Sequence, residues 1–388
     1  MRIIIACDSF KGSLTSADVG NAVAAGIRAA DVSAETHVVE IADGGEGTVH
    51  ALVEGLQGRY VLCRVDGPLG DKVDATYGIS GDGSTAIIEM AQASGLTLLD
   101  DSRRNPLYTS TYGTGQMVKE VLAKGCRTII MGIGGSATND GGTGMLSALG
   151  VRFCDGEGRL LKPCGESLEK IHTIDLTDMD PRARDADFLI ACDVNNPLTG
   201  PDGAAFVFAP QKGADYDTVR RLDDGLRNYA RVIEKTIGRD VSGLPGAGAA
   251  GGLGACFAAF FNATLKPGIE LLLDAIHFDD IIADSDLIIT GEGHVDMQSL
   301  HGKAPYGVLR HGMRQQIPVV AVGGAVSAVE ALNDAGFTAV LPVVAGPCGL
   351  AEAMDADIAR KNLARTASQI MRLFRASSLK FRALRNGV

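Results

Sequence analysis

Short apolar runs recur along the 388-residue chain, and each one stops at glycine or at a polar turn. They are Ile3-Ile4-Ile5-Ala6-Cys7, Thr128-Ile129-Ile130-Met131, Leu189-Ile190-Ala191-Cys192, Leu287-Ile288-Ile289-Thr290, Ile317-Pro318-Val319-Val320-Ala321-Val322 and Ala339-Val340-Leu341-Pro342-Val343-Val344. None alternates apolar with polar. A strand that is apolar on both faces is covered on both faces, which predicts a parallel sheet flanked by helices. Helical patterns lie between the runs. Thr15 is placed to cap a helix that buries Val19, Val23 and Ile27. Thr36 to Ile41 reads as the next strand.

The middle of the chain follows another pattern. Lys72 to Ile88 holds two strand-like runs split by Ser80-Gly81-Asp82-Gly83-Ser84, a hairpin signal. Asp217 to Ile237 predicts a long amphipathic helix with Val219, Leu222, Leu226, Tyr229, Ile233 and Ile237 on one stripe. The expected fold class is α/β. Residues 1–65 plus 280–388 form a Rossmann-like parallel-sheet domain, and residues 66–279 form an inserted second, mixed α/β domain.

The formal net charge of −11 argues against a nucleic-acid or anionic-membrane surface. An anionic substrate then needs a local cluster of donors. Eight cysteines occur without a CxxC pair, which predicts reduced thiols. The apolar start is too short for a signal peptide, and no apolar run reaches membrane-spanning length. A cytoplasmic enzyme that is a monomer or homodimer is expected.

The densest motif is Gly132-Ile133-Gly134-Gly135-Ser136-Ala137-Thr138-Asn139-Asp140-Gly141-Gly142-Thr143-Gly144. It links a predicted strand to a predicted helix. Glycine lets backbone N–H groups approach an anion, and a helix N-terminus adds a favourable dipole. Gly134, Gly135, Ser136, Thr138 and Asn139 are therefore candidate phosphate or nucleotide ligands. A tight, closely packed turn is the competing reading. The same stretch fits a dinucleotide fingerprint through Gly132, Gly134 and Ala137, with Asp155 at about the right distance. That match keeps an NAD-dependent oxidoreductase of a small hydroxy acid open. No P-loop pattern and no zinc spacing occur.

Other candidates follow the strand runs. Asp8, Ser9 and Lys11 succeed the first strand, where ligands collect in open sheets; an ion pair between Asp8 and Lys11 is the plainer reading. Asp43 and Glu46 suit substrate hydroxyls or magnesium, or a simple capped turn. Asp193 sits where a general base would be placed, with Asn195 to orient substrate, unless both serve an Asx turn before Pro197. Pro245 to Gly254 is a second glycine-rich segment in which Gly248 offers a backbone donor, or which simply packs closely. Glu292 and Asp296 share a predicted loop, and Lys303 offers a cation just before a helix in which Pro305 fits the first turn.

Taken together, Asp8-Ser9-Phe10-Lys11, Ala42-Asp43-Gly44-Gly45-Glu46-Gly47-Thr48, Gly67-Pro68-Leu69-Gly70, the Gly134–Gly142 cradle, Ala191-Cys192-Asp193-Val194, Pro245 to Gly252 and Thr290-Gly291-Glu292-Gly293 resemble the type I glycerate kinases. The resemblance spans essentially the whole chain. It implies ATP-dependent phosphorylation of D-glycerate, 2-phosphoglycerate as the favoured product over 3-phosphoglycerate, and an active site in a cleft between two domains. Because the candidate donors come from both parts of the chain and the phosphoryl group must be kept from water, the two domains are expected to close on ligand. The roles that follow are Asp193 as base, Lys11 as the neutralising cation, the cradle for phosphate, and Glu292 with Asp296 for Mg2+. Three positions depart from the family pattern: Cys7 stands where proline is usual, His294 where arginine is usual, and Met297 where a small polar residue is usual. His294 puts a group that titrates near neutrality at its position. A non-catalytic sensor of sugar acids is a third class, without any appended DNA-binding segment in sight.

Overall fold

The computed structural model describes residues 1–43 and 47–385, with side chains to residue 376. Gly44, Gly45 and Glu46 lie outside the described residues. The strands in chain order are β1 Arg2–Cys7, β2 Glu35–Val38, β3 Arg59–Asp66, β4 Lys72–Ile79, β5 Thr85–Glu89, β6 Thr128–Gly132, β7 Arg152–Cys154, β8 Thr173–Asp175, β9 Asp187–Ala191, β10 Asn262–Lys266, β11 Leu287–Val295, β12 Val319–Val326 and β13 Ala339–Pro342. The chain divides into two compact units, 1–51 with 272–388 and 52–271. The sequence placed the crossings near 65 and 280; β3, which that boundary leaves almost entirely in the first domain, belongs wholly to the second unit.

Unit 1 is built on a five-stranded sheet in the order β13-β12-β11-β1-β2, parallel throughout. Ile4 pairs with Ile288 on one side and His37 on the other. Ile3, Ile4 and Ile5 are fully buried, as an isoleucine run covered on both faces should be. Thr15 caps the helix Ser16–Ala30 by accepting from Asp18 N–H, and Val19, Val23 and Ile27 face inward. The C-terminal helix Ala356–Arg385 packs against it closely enough that a Cβ on Gly26 would lie 2.0 Å from Ala364 O.

Unit 2 carries a six-stranded sheet in the order β10-β9-β6-β5-β4-β3. β5, β6, β9 and β10 are parallel, and β3 and β4 run antiparallel at the edge. The β4–β5 hairpin turns at Ser80–Ser84 as the sequence predicts. The helix Tyr216–Ile237 is capped by Asp215, ends at left-handed Gly238, and buries Val219, Leu222, Leu226, Tyr229 and Ile233. Each unit has its own apolar core. All eight cysteines are free. Among the described residues no helix is long and apolar enough to cross a membrane.

Candidate functional site

In unit 1 the candidate residues gather at the carboxyl end of β1. β1 leads to β2 on one side and has β11 on the other, so strand order reverses between β1 and β11. Open parallel sheets bind ligands at such a point. Asp8 stands there, its N–H donating to Gly291 O of β11 at 2.8 Å. It is 3% exposed. Burial and, next, the charge of Asp43 push its carboxyl up to about 7; Glu292 adds a smaller push, while Ser9 N–H and Lys11 pull the other way. A carboxylate poised near neutrality is suited to accept a proton.

Lys11 Nζ lies 3.1 Å from Asp43 Oδ2. Its direct partner is thus Asp43 rather than Asp8, and the contact holds the ammonium pKa above its ordinary value. Glu292 does not sit in a loop after the strand: β11 runs on through Gly291, Glu292 and Gly293 to Val295. Gly291 permits this, because a Cβ there would meet Val322 O at 2.1 Å. Glu292 is buried; Oε1 accepts from Ser299 Oγ and Oε2 lies 3.4 Å from Lys303 Nζ. Burial raises its pKa against the pull of both partners. The Asp296 carboxylate caps a short 3-10 turn by accepting from Gln298 N–H at 2.8 Å. Among the described residues no group of three or more His, Cys, Asp or Glu side chains is placed to hold a metal ion. His294 is exposed, with Nε2 at 3.4 Å from Ser327 Oγ.

A cavity of about 480 Å3 opens beside this cluster, lined in part by Asp8, Ser9, Lys11, Ser13, Glu40 and His50. The Ser13 hydroxyl is buried in its wall and has no hydrogen-bond partner among the described residues. Sequence reasoning passed over Ser13, since a serine two residues beyond Lys11 carries no signal of its own.

In unit 2 the glycine-rich loop divides into an open tip and a closed base. Gly134 and Gly135 are exposed, and a Cβ on Gly134 would meet nothing within 4 Å. That tip is the part of the predicted cradle free to receive an anion. The base is different. Thr138, Asn139 and Asp140 are fully buried. The short helix Thr143–Ala148 does not present a vacant N-terminus, because Asp140 fills it: its carboxylate accepts from Gly142 N–H, Gly144 N–H, and both the N–H and hydroxyl of Thr111. Burial nevertheless keeps the Asp140 pKa raised. Ser136 Oγ is engaged by Lys212, whose Nζ donates to it at 2.8 Å and to Thr138 O at 2.6 Å. The helix begins only at Thr143, well past Ala137, and Asp155 is paired with Arg159 in an exposed turn. The dinucleotide fingerprint therefore lacks its strand–turn–helix geometry.

The remaining predicted positions fare unevenly. Asp193 follows β9 and is exposed; Oδ1 accepts from Gly268 N–H at 3.0 Å, at the start of the helix Gly268–Ala275. Asn195 is exposed on the same segment. Gly248 spends its N–H on Asn196 O, and a Cβ there would sit 2.3 Å from Pro197 O. Close packing, not an anion, explains that glycine.

A sequence model of the glycerate kinase family matches residues 3–375. The chain belongs to that family. It is 47% identical over 353 residues to the glycerate kinase of Halalkalibacterium halodurans, covering 91% of this chain and 93% of the relative. The glycerate 2-kinase of Escherichia coli K12 is 46% identical, with 89% and 91% covered. Among solved structures, a glycerate kinase 2 candidate from Salmonella typhimurium LT2 superposes with a TM-score of 0.89 at 44% identity, over 98% of this chain and 99% of that one. Members of this family are kinases, which sets the chemistry against which the two sites are read.

Proposed function

We propose that the chain transfers the γ-phosphoryl group of ATP to a hydroxyl of D-glycerate, with 2-phosphoglycerate and ADP as products. The observation that carries this reading is the cluster at the strand-order reversal of unit 1, where the buried carboxyl of Asp8 stands beside Lys11, and Glu292 on the neighbouring strand is paired with Lys303. Asp8, rather than the expected Asp193, is proposed as the base. It accepts the proton of the attacking hydroxyl as the new O–P bond forms and the bond from Pγ to the ADP oxygen breaks. Asp193 keeps a helix-capping role, since its carboxylate is already bonded to Gly268 N–H. Lys11 neutralises the substrate carboxylate or the transferring group, a transfer that needs alignment and charge compensation more than covalent chemistry. Ser9, Ser13 and Asp43 receive the substrate's other polar atoms. The open tip at Gly134 and Gly135 takes nucleotide phosphate, and Lys303 supplies a further cation.

Magnesium supplies charge neutralisation when it accompanies the phosphates. Glu292 with Asp296 does not form a ready protein cage: Glu292 is shared between Ser299 and Lys303, and Asp296 caps a turn. In this reading the ion is held mainly by the phosphates it arrives with, as is usual for Mg2+, and Asp43 and Glu292 are the carboxylates at hand for it. The name of the Escherichia coli relative favours the 2-position. ADP formation that depends on D-glycerate tests the activity, and phosphorus NMR of the product tests the position. No ADP above background with D-glycerate, or a product phosphorylated at O3, removes the corresponding half of the reading. Reduction of a nicotinamide cofactor by D-glycerate would replace the whole of it. The protein is proposed to act in the cytoplasm.

A further inference from the structure

We propose that Lys212 is a positioning residue for nucleotide binding: its buried ammonium fastens the base of the glycine-rich loop and supplies the positive charge that lets the open tip take phosphate. The inference rests on the reading of that loop as the nucleotide-phosphate site.

Lysine is seldom fully buried, and Lys212 is 1% exposed. It closes the 3-10 turn Pro210–Lys212, followed by Gly213 at φ +94, where a Cβ would strike Arg104 O at 2.3 Å. The backbone is thus committed to sending this side chain inward. Nζ spans the loop base by reaching Ser136 Oγ at 2.8 Å and Thr138 O at 2.6 Å. One of its three protons has no partner among these contacts. Nearby, Thr138 Oγ1 and both polar atoms of Asn139 are buried without partners. Such groups are costly unless something repays them. The facing charge is Asp140, whose carboxylate is taken up by Thr111, Gly142 and Gly144; Tyr229 and Cys256 border Asp140 in turn. When protonated, Lys212 therefore brings a positive charge, which no direct ion pair among the described residues cancels, to Ser136, two residues along the loop from Gly134. Burial lowers its pKa to about 7, against the pull of Asp140. A bound anion favours the charged form, and by linkage the charged form favours the anion.

The test measures ADP affinity by calorimetry across pH 6 to 9 for the full-length wild type, Lys212→Met and Gly134→Asp. Methionine fills the buried space without charge, and thermal melting checks that it folds. The expected result is at least tenfold weaker ADP binding in K212M at pH 6.5, with the gap to wild type closing above pH 8 as the wild-type ammonium loses its proton. D-Glycerate affinity should stay within about twofold. Gly134→Asp places a carboxylate in open space at the tip, and should abolish ADP binding if the tip is the phosphate site. Equal ADP affinity in K212M and wild type at every pH, with G134D defective, overturns the role of Lys212 alone. Normal ADP binding in G134D overturns the loop reading itself. If K212M does not fold, carbon-13 NMR of labelled lysine in the wild type decides: ADP should raise the Lys212 pKa, and an unmoved titration sinks the proposal.

Discussion

Asp8 is asked to be both buried and ionised, and the two demands oppose each other. Its folded-state pKa of about 7 lies above the ordinary carboxylate value, so the folded state binds the extra proton between about pH 4 and 7. The stability contributed by the protonated form is complete below pH 4 and is lost as pH rises through 7. Replacement by Asn removes that loss. Asp8→Asn should therefore melt higher than wild type at pH 8, by a free energy on the order of a few kcal/mol, while kcat falls by ~10²-fold or more. Calorimetry and turnover on the same sample check both halves, and a less stable, active variant would refute them. Wild-type kcat/KM should rise with pH through about 7 as the base becomes available. Lys11→Met should cost activity, not stability. Its ion pair with Asp43 is mostly exposed and worth under ~1 kcal/mol, whereas loss of the cation should lower kcat/KM by ~10²-fold. The same change should move the pH–rate profile upward, because Lys11 holds the Asp8 pKa down. Asp193→Asn keeps an acceptor for Gly268 N–H, so its kcat should remain within about tenfold of wild type; a loss as large as that of Asp8→Asn would return the base to Asp193. Residues such as Asp8 and Lys11 were legible because a strand end advertises them. Lys212 was not, since a lysine in a Pro-Gln-Lys-Gly turn reads as solvated until the fold turns it inward.

At the scale of elements, the apolar runs and the helix stripes were readable almost throughout, because burial on both faces leaves an uninterrupted signal. The misreadings lie where glycine was taken as punctuation. The apolar runs ending at Thr290 and Val322 were taken to stop at the next glycine, yet β11 and β12 continue through Gly291 and Gly323, since a bare Cα lets neighbouring parallel strands approach. Gly248 left a backbone donor and close packing both open, and its bond to Asn196 O and approach to Pro197 O favour packing. The glycine-rich loop was read as one cradle, and Asp140 divides it by filling the helix N-terminus from within. That a side chain would satisfy its own helix could not be seen from spacing alone. Gly26 provides the matching stability test. Gly26→Val must push the helix Ser16–Ala30 off Ala364 O, and should cost ~3 kcal/mol or more in urea denaturation. A shift below about 1 kcal/mol would mean the C-terminal helix packs more loosely than described.

For the whole molecule, the two units differ in how they use the chain. Unit 2 is one continuous segment, 52–271, with a core of its own drawn from residues 63–257. Expressed alone, it should fold cooperatively and give dispersed NMR spectra. Residues 272–388 alone should not, because β11 would lack β1, and the C-terminal helix would lack the helix Ser16–Ala30. A structureless 52–271 fragment would show that its core depends on the rest of the chain.

The place of β1 in its sheet has a consequence on the ribosome. β1 is synthesised before residues 52–271, yet its neighbour β11 is synthesised only after them. At about 5–20 residues per second, the roughly 280 residues between Cys7 and Leu287 keep the nascent β1 waiting about 15–55 s with one apolar hydrogen-bonding edge unpaired. During that interval unit 2 is free to complete its own sheet. The isoleucines of β1 are then the segment of the emerging polypeptide most in need of a chaperone's shelter, and slowing translation across residues 52–271 should lengthen that need.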